Sequence, residues 1–260
     1  MKREDRQKAI MDLLVTHGEV EVDKLSEQFA VSKMTIHRDL DDLETEGVIR
    51  KIRGGATIES GTRFESDFRY RERQSQDAKM AMAEAALKLI DPGMTVMIND
   101  GSMAAFLGKY LPRKRPLTVI TNNAAIMDAL RTESGITLIS LGGCYSSKFN
   151  AYFGSLTEAA LSSLRADISF ISTPAITGLE VFHMDDMVVK TKRAMLKSGT
   201  TRCLLVNHTR FDHTALHKLA DLDEFDHIIT DLAPSARALA VMEGAGLTLT
   251  IADRAKGEGV

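Results

Sequence analysis

A group of polar and basic side chains near the start of the chain has the chemistry needed to contact DNA. Its members are Lys33, Thr35, His37 and Arg38, followed by Arg50, Lys51 and Arg53. Lysine and arginine bond phosphate oxygens and guanine edges, and threonine and histidine can bond either kind of target. The group predicts a DNA-binding segment, although a small helical domain with a solvated charged face would have a similar composition.

Three short helices and a β-ribbon are needed to hold these side chains. The apolar residues with helical spacing are Ile10, Leu13 and Leu14, then Val22, Leu25 and Phe29, then Ile36, Leu40 and Leu43. Ser32 is suited to cap the third helix, and Gly18 and Gly47 are suited to end the first and third. Residues 48–55 predict a strand and a tight turn, in which Gly54 and Gly55 let the backbone approach phosphates. This order predicts a winged helix-turn-helix with its third helix in the major groove.

A second group of polar and glycine residues follows predicted strands later in the chain. After strands at 95–98, 117–120 and 136–139 come Asp100, Gly101 and Ser102, then Asn122 and Asn123, then Gly142 and Gly143. Short apolar strands separated by helix-length segments predict a doubly wound, mostly parallel α/β sheet, which binds ligands at the carboxyl ends of its strands. Together the loops predict a site for a phosphorylated ligand, although turns often contain glycine and asparagine for backbone reasons alone.

The change in pattern along the chain divides it into four segments. We predict a winged helix-turn-helix DNA-binding domain at 1–58, a charged linker at 59–78, an α/β effector-sensing and oligomerisation domain at 79–252, and a flexible tail at 253–260. The net charge of −3, from 33 basic and 36 acidic side chains, disfavours bulk coating of nucleic acid but permits local contacts.

Several other classes of protein are disfavoured by the sequence. The charged start, and the lack of an apolar run long enough for a membrane span, predict a cytoplasmic protein. Cys144 and Cys203 have no metal-site spacing and are expected to be free thiols. His208, His213 and His217 are better explained as part of a solvated loop and helix than as metal ligands. We therefore expect no metal and no cofactor.

The stretch from Val31 to Leu40, with Leu43-Glu44 and Gly47, resembles the recognition-helix signature of the DeoR family of bacterial transcriptional regulators. Residues 53–56, Arg-Gly-Gly-Ala, resemble the end of that family's wing. The usual pattern has two arginines before the Asp-Leu pair. Here His37 and Arg38 stand in those places, which points to a different operator preference. The resemblance covers nearly the whole chain.

This resemblance implies a repressor of a carbohydrate catabolic operon, acting as a dimer or tetramer and released from its operator by a phosphorylated sugar. It implies a second domain similar to ribose-5-phosphate isomerase and coenzyme A transferase folds, with the three loops around the effector. It also adds Lys192 as a phosphate or hydroxyl partner. Met103 replaces a hydroxyl residue of many relatives, and residues 172–176 lack the usual carboxylate.

Two alternatives remain open at this level. One is a sugar-phosphate isomerase-like enzyme with an appended DNA-binding domain. Such an enzyme needs a general base, usually a carboxylate, and the matching loop has Thr173 and Pro174 instead; we therefore predict that the protein is not an enzyme. The other is a DNA-binding scaffold whose α/β domain only oligomerises.

Overall fold

The computed structural model describes residues 1–58 and 67–252. Contacts within the chain divide it into two compact units, Met1–Gln74 and Ser75–Val260. Most of the first half of the predicted linker, and the whole predicted tail, lie outside the described residues. Within the described residues, no helix combines the length and the apolar character needed to cross a membrane.

The first unit is a winged helix-turn-helix. Its elements are α1 (Arg3–His17), β1 (Glu19–Glu21), α2 (Val22–Phe29), α3 (Lys33–Thr45), β2 (Arg50–Ile52), β3 (Gly55–Thr57) and α4 (Phe68–Arg73). Its core contains Ile10, Leu14, Leu25, Ile36 and Leu40, which are all buried. The helical periodicity therefore predicts the buried face of each helix correctly, because each helix places its apolar residues against the other two.

Two features of this unit differ from the prediction. The wing is a three-stranded antiparallel sheet in the order β1-β3-β2, whereas the sequence predicts a two-stranded ribbon. Helix α4 lies inside the predicted linker, and its Phe68 is 2% exposed. The segment 59–78 therefore contains one helix of the first unit and the first residues of α5, the helix that opens the second unit.

A seven-stranded parallel sheet forms the centre of the second unit. Its strands are β4 (Thr95–Ile98), β5 (Leu117–Thr121), β6 (Ile136–Ser140), β9 (Ala166–Ser172), β12 (Gly199–Leu205), β14 (His227–Thr230) and β15 (Leu249–Ile251). They lie in the order β15-β14-β12-β9-β4-β5-β6. The first strand, β4, is central and flanked by β5 and β9, so the chain winds outward in both directions. This confirms the predicted doubly wound α/β fold.

Helices and two small sheets complete this unit. The helices are α5 (Gln76–Leu87), α6 (Ser102–Gly108), α7 (Ala124–Leu130), α8 (Ser155–Ser162), α9 (Asp186–Ser198) and α10 (Ala236–Gly244). Strands β7 (Cys144–Ser146) and β8 (Ala151–Phe153) form a hairpin, and β10 (Ala175–Thr177), β11 (Glu180–His183) and β13 (His217–Asp221) form an antiparallel sheet. Neither small sheet is predicted from the sequence.

The histidine-rich segment needs one correction. His208 begins a short 3-10 helix, whereas His217 begins β13 and does not lie on the predicted helix. His213 and His217 therefore cannot share a helical face. Across the described residues, no group of three or more His, Cys, Asp and Glu side chains is placed to hold a metal ion. Cys144 is an exposed free thiol and Cys203 a buried one.

Candidate DNA-binding surface and effector site

Helix α3 has the two-sided character that a recognition helix requires. Ser32 caps it, because its Oγ accepts a hydrogen bond from the backbone N–H of Thr35 at 3.2 Å. Ile36 and Leu40 on its inner face have no exposed surface. Lys33, His37 and Arg38 are exposed near its N-terminal end, so they are positioned to meet a DNA groove.

An ion pair holds α3 against α1. The Arg6 guanidinium donates to both carboxylate oxygens of Asp39, from Nε to Oδ2 at 2.5 Å and from Nη2 to Oδ1 at 3.0 Å. Arg6 is 7% exposed and Asp39 1%, and the hydrogen bond that Arg6 donates to Asp39 raises the pKa of Arg6 above its usual value. Asp39 is therefore an internal anchor between the two helices.

Acidic side chains in the second half of α3 bind further cations of the same unit. Asp42 forms an ion pair with Arg3 of α1, and Asp41 forms one with Lys51 of β2 at 2.5 Å. The backbone N–H of Lys51 also donates to Glu44 at 2.7 Å. These contacts attach the first helix and the wing to the recognition helix.

The predicted DNA-contacting side chains fall into two groups. Lys33 forms an exposed ion pair with Asp23 at 2.8 Å, and Lys51 is paired with Asp41. The side chains of His37, Arg38, Arg50 and Arg53, by contrast, form no ion pair or hydrogen bond with any described residue. Free side chains contact a phosphate or a base without first breaking an internal pair, so these four positions are the readiest to contact DNA.

A surface cleft of about 390 Å³ lies beside this free Arg38. It is lined by Arg3, Arg6, Thr35, Arg38, Asp39, Asp41 and Asp42. Arg3 and Arg6 come from α1, a helix to which sequence reasoning assigns no site residue. Their carboxylate partners lie 33 or more positions away in the chain, a separation that local patterns do not reveal.

The two glycines of the wing have separate structural roles. Gly54 has φ +81° in the turn between β2 and β3, a conformation that L side chains rarely adopt. Gly55 lies against β1, where an added Cβ would be 1.9 Å from the carbonyl oxygen of Val20. Close strand packing therefore explains Gly55, and the predicted approach to phosphate is not needed to account for it.

In the second unit, several polar side chains converge at the carboxyl ends of the central strands. Lys192, on α9, is 2% exposed, and its Nζ donates to the carbonyl oxygen of Ser172 at 2.9 Å. The same Nζ lies 3.7 Å from Oδ2 of Asp100, which is also buried. The structure thus brings the predicted effector residues Asp100 and Lys192 together at the ends of β4 and β9.

Asparagines connect the loops at this edge. The Asn123 side chain donates to the carbonyl oxygen of Gly101 at 3.2 Å, and its Oδ1 caps α7 by accepting from Ala125 N–H at 3.0 Å. Asn122 donates to the Tyr152 carbonyl at 3.0 Å. Its fully buried Oδ1 has no hydrogen-bond partner among the described residues.

The other predicted effector residues border this network. Ser102 is the first residue of α6, next to Gly101, whose φ is +108°. Gly142 and Gly143 follow β6, and the Gly142 carbonyl accepts a hydrogen bond from Thr157 of α8 at 2.6 Å. A Cβ on Gly143 would lie 2.4 Å from the Phe153 carbonyl oxygen. Gly143 therefore has a packing reason as well as its predicted place near a ligand, whereas a Cβ on Gly142 would meet open space.

Two residues of this edge are absent from the predicted set. Asn99 accepts the backbone N–H of Ser172 through Oδ1 at 3.2 Å and donates to the Ser172 hydroxyl at 3.3 Å. Asn99 directly follows the buried strand β4, and Ser172 is the last residue of the buried strand β9. The rule that ligands bind at carboxyl ends, applied to every strand, would have included them.

A winged helix-turn-helix with a free arginine on its recognition helix, joined to an α/β unit with a polar strand edge, defines a two-domain DNA-binding transcriptional regulator. Comparison with known proteins supports this class. Residues 6–62 match the DeoR-like helix-turn-helix domain, and residues 74–232 match the DeoR C terminal sensor domain. The chain belongs to the DeoR family of bacterial transcriptional regulators, as the sequence predicts.

Curated relatives cover almost the whole chain. The L-fucose operon activator of Escherichia coli (strain K12) is 32% identical over 237 residues, which are 90% of this chain and 97% of that protein. The HTH-type transcriptional repressor GlcR of Bacillus subtilis (strain 168) is 27% identical over 260 residues, or 99% and 100% of the two chains.

Among solved structures, the ribose 5-phosphate isomerase a from Methanocaldococcus jannaschii resembles the second unit distantly. The TM-score is 0.40 at 16% identity, covering 53% of this chain and 55% of that chain. A likeness of this size concerns the fold alone.

Proposed function

We propose that the protein represses a carbohydrate operon and that a phosphorylated sugar, bound at the carboxyl edge of the sheet, releases it from its operator. The observation that carries this proposal is the buried contact of Lys192 with Asp100 and the Ser172 carbonyl. Buried polar groups at the ends of parallel strands are typical of ligand sites. Repression is supported by the likeness to a named repressor, and a carbohydrate operon as the target by the likeness to a fucose-operon activator.

Repression requires at least a dimer in this proposal, so that two α3 helices enter successive major grooves of one operator. The effector then favours a second conformation, in which the two α3 helices are no longer spaced to enter successive grooves. This mechanism requires the effector to bind the two conformations with different affinities. Both events take place in the cytoplasm, and the protein needs no cofactor beyond the effector.

The proposed role involves no turnover. Asp100, the carboxylate at the end of β4, is occupied by Lys192 and by Asn99. Residues 172–176 contain no carboxylate that would serve as the base of an aldose–ketose isomerase. The isomerase alternative is tested by incubating the full chain with ribose 5-phosphate and measuring ribulose 5-phosphate, which we expect to remain at background.

The full chain and DNA fragments that it selects from genomic DNA provide the test of regulation. Fluorescence anisotropy reports binding while ribose 5-phosphate, glucose 6-phosphate or glycerol 3-phosphate is added, each beside its unphosphorylated parent as a control. We expect one phosphorylated compound to weaken DNA binding at least tenfold and its parent to have no effect. If no phosphorylated compound changes either DNA affinity or thermal stability, the alternative of a DNA-binding scaffold whose α/β domain only oligomerises replaces this proposal.

A further inference from the structure

His208 and Asp231 form a hydrogen-bonded pair at the same edge of the sheet, in addition to the contact between Lys192 and Asp100. They follow β12 and β14, which are adjacent parallel strands. Nδ1 of His208 lies 3.0 Å from each Asp231 carboxylate oxygen, and the His208 backbone N–H donates to Oδ1 at 2.8 Å. The Asp231 side chain is fully buried, whereas the His208 side chain is 31% exposed.

This pair determines which ring nitrogen is available to a ligand. An ionised carboxylate only accepts hydrogen bonds, so the contact with Asp231 places a proton on Nδ1. Nε2 is then the remaining nitrogen, and no described residue bonds it. Asn207 fixes the start of the short turn, because its Oδ1 accepts from the N–H and hydroxyl of Thr209. The imidazole is therefore held in place with one nitrogen unused.

The position of His208 relates it to the site around Lys192. Leu205 on β12 is the register partner of Ser172 on β9, and the Ser172 carbonyl accepts from Lys192. His208 is three residues beyond Leu205, which is about 10 Å of extended chain. A phosphorylated five- or six-carbon sugar is long enough to contact both ends of this stretch.

Charge gives a reason for a second cationic contact. Lys192 and Asp100 offset each other, so the pair has little net attraction for a phosphate that carries close to two negative charges. A phosphate at Nε2 and the Asp231 carboxylate at Nδ1 would flank the ring, so that each ring nitrogen would face an anion as its hydrogen-bond partner. The imidazole would then lie between one anion of the protein and one of the ligand.

We infer that His208, positioned by Asp231, contacts the phosphate group of a phosphorylated sugar bound at this edge. This inference rests on the proposed function, since it concerns the same effector. The alternative is a purely structural role, in which His208 only connects the loops that follow β12 and β14.

Asparagine and glutamine at position 208 separate these two roles. In His208→Asn the amide nitrogen takes the place of Nδ1 and keeps the bond to Asp231, but nothing replaces Nε2. In His208→Gln the amide nitrogen reaches the place of Nε2 instead. His213→Asn is the matched control, because His213 is an exposed histidine of the same segment whose Nδ1 is bonded to the Phe211 carbonyl at 2.8 Å.

Calorimetric titration of the full chain with ribose 5-phosphate, glucose 6-phosphate, glycerol 3-phosphate and their parents is the experiment. For a compound that the wild type binds, we expect His208→Asn to weaken affinity by about tenfold or more, as for loss of a charged hydrogen bond. His208→Gln should recover part of that loss, and His213→Asn should bind as the wild type does. All three variants should unfold within a few degrees of the wild type.

Equal affinity of wild type and His208→Asn for that compound would overturn the inference and leave the proposed function intact. An equal loss for the unphosphorylated parent would also overturn it, because His208 would then contact sugar hydroxyls. If no phosphorylated compound binds the wild type, the proposed function fails, and the inference fails with it.

Discussion

Arg6 on the first helix and Asp39 on the recognition helix are joined by two hydrogen bonds between side chains that lie 33 positions apart in the chain. Asp39 directly follows Arg38, whose guanidinium bonds no described residue. One of these neighbours therefore fixes the recognition helix, and the other is available to DNA. The pair also borders the cleft that Arg38 lines, so solvent reaches its edge.

Asp39→Asn should destabilise the first unit by about 2 kcal/mol, because it leaves a largely buried guanidinium without its carboxylate. This loss of stability is smaller than the loss expected for a fully desolvated ion pair, because water in the cleft reaches the edge of the pair. For a unit of this size the melting transition should fall by roughly 10 °C, which scanning calorimetry of the full chain measures. Asp23→Asn is the control, because its pair with Lys33 is exposed. A similar shift in both variants would contradict the anchoring role.

Arg38→Ala should weaken operator binding more than Lys51→Ala does, because Lys51 is already paired with Asp41. If Arg38 contacts one phosphate, the slope of log affinity against log salt should also fall by about one. Anisotropy titrations at several salt concentrations give both quantities. Lys24→Ala, which removes an exposed lysine paired with Glu21, should leave both unchanged. Equal losses for Arg38 and Lys24 would remove Arg38 from the interface.

Gly55→Ala should disrupt the wing, because its Cβ would overlap the Val20 carbonyl oxygen. Hydrogen exchange followed by mass spectrometry should show faster exchange in β1 and β3, together with weaker DNA binding. Gly54→Ala meets open space and has only the strain of a positive φ, about 1 kcal/mol. Protection that is lost equally in both variants would show that turn conformation, not strand packing, governs the wing.

Lys192→Met should both destabilise the second unit and abolish the response to the effector. The loss of stability, about 3 kcal/mol, follows from leaving Asp100 buried without its cation. The double variant Lys192→Met with Asp100→Asn removes both charges, so it should regain most of the stability. Its affinity for DNA, measured by fluorescence anisotropy, should still not change when the effector is added. A double variant that responds normally would exclude both residues from effector binding.

The sequence predicts elements well where local pattern and burial agree. The strand at Thr95–Ile98 has its predicted bounds, because its continuous apolar residues directly reflect its burial. Strand β15 is missed because it is an edge strand of three residues with exposed side chains at Thr250 and Ile251. Three residues are also too few to show an alternating pattern in β1.

For the site, the sequence finds residue types but not their partners. Asp100 and Lys192 are candidates by residue type and position, but their contact with each other depends on how α9 packs against the sheet. The pairs Arg6–Asp39 and His208–Asp231 join residues 33 and 23 positions apart. Such contacts follow from tertiary packing, which periodicity and capping patterns do not specify. Contact of the predicted residues with DNA or effector stays a prediction.

The separation of α3 into a buried face and an exposed face also has a consequence for how this regulator can evolve. Ile36, Asp39 and Leu40 hold the helix through buried contacts, whereas Lys33, His37 and Arg38 point to solvent. Exposed positions of this kind tolerate substitution with little effect on stability. A lineage can therefore exchange the outward residues and acquire a new operator while the domain that carries them remains folded.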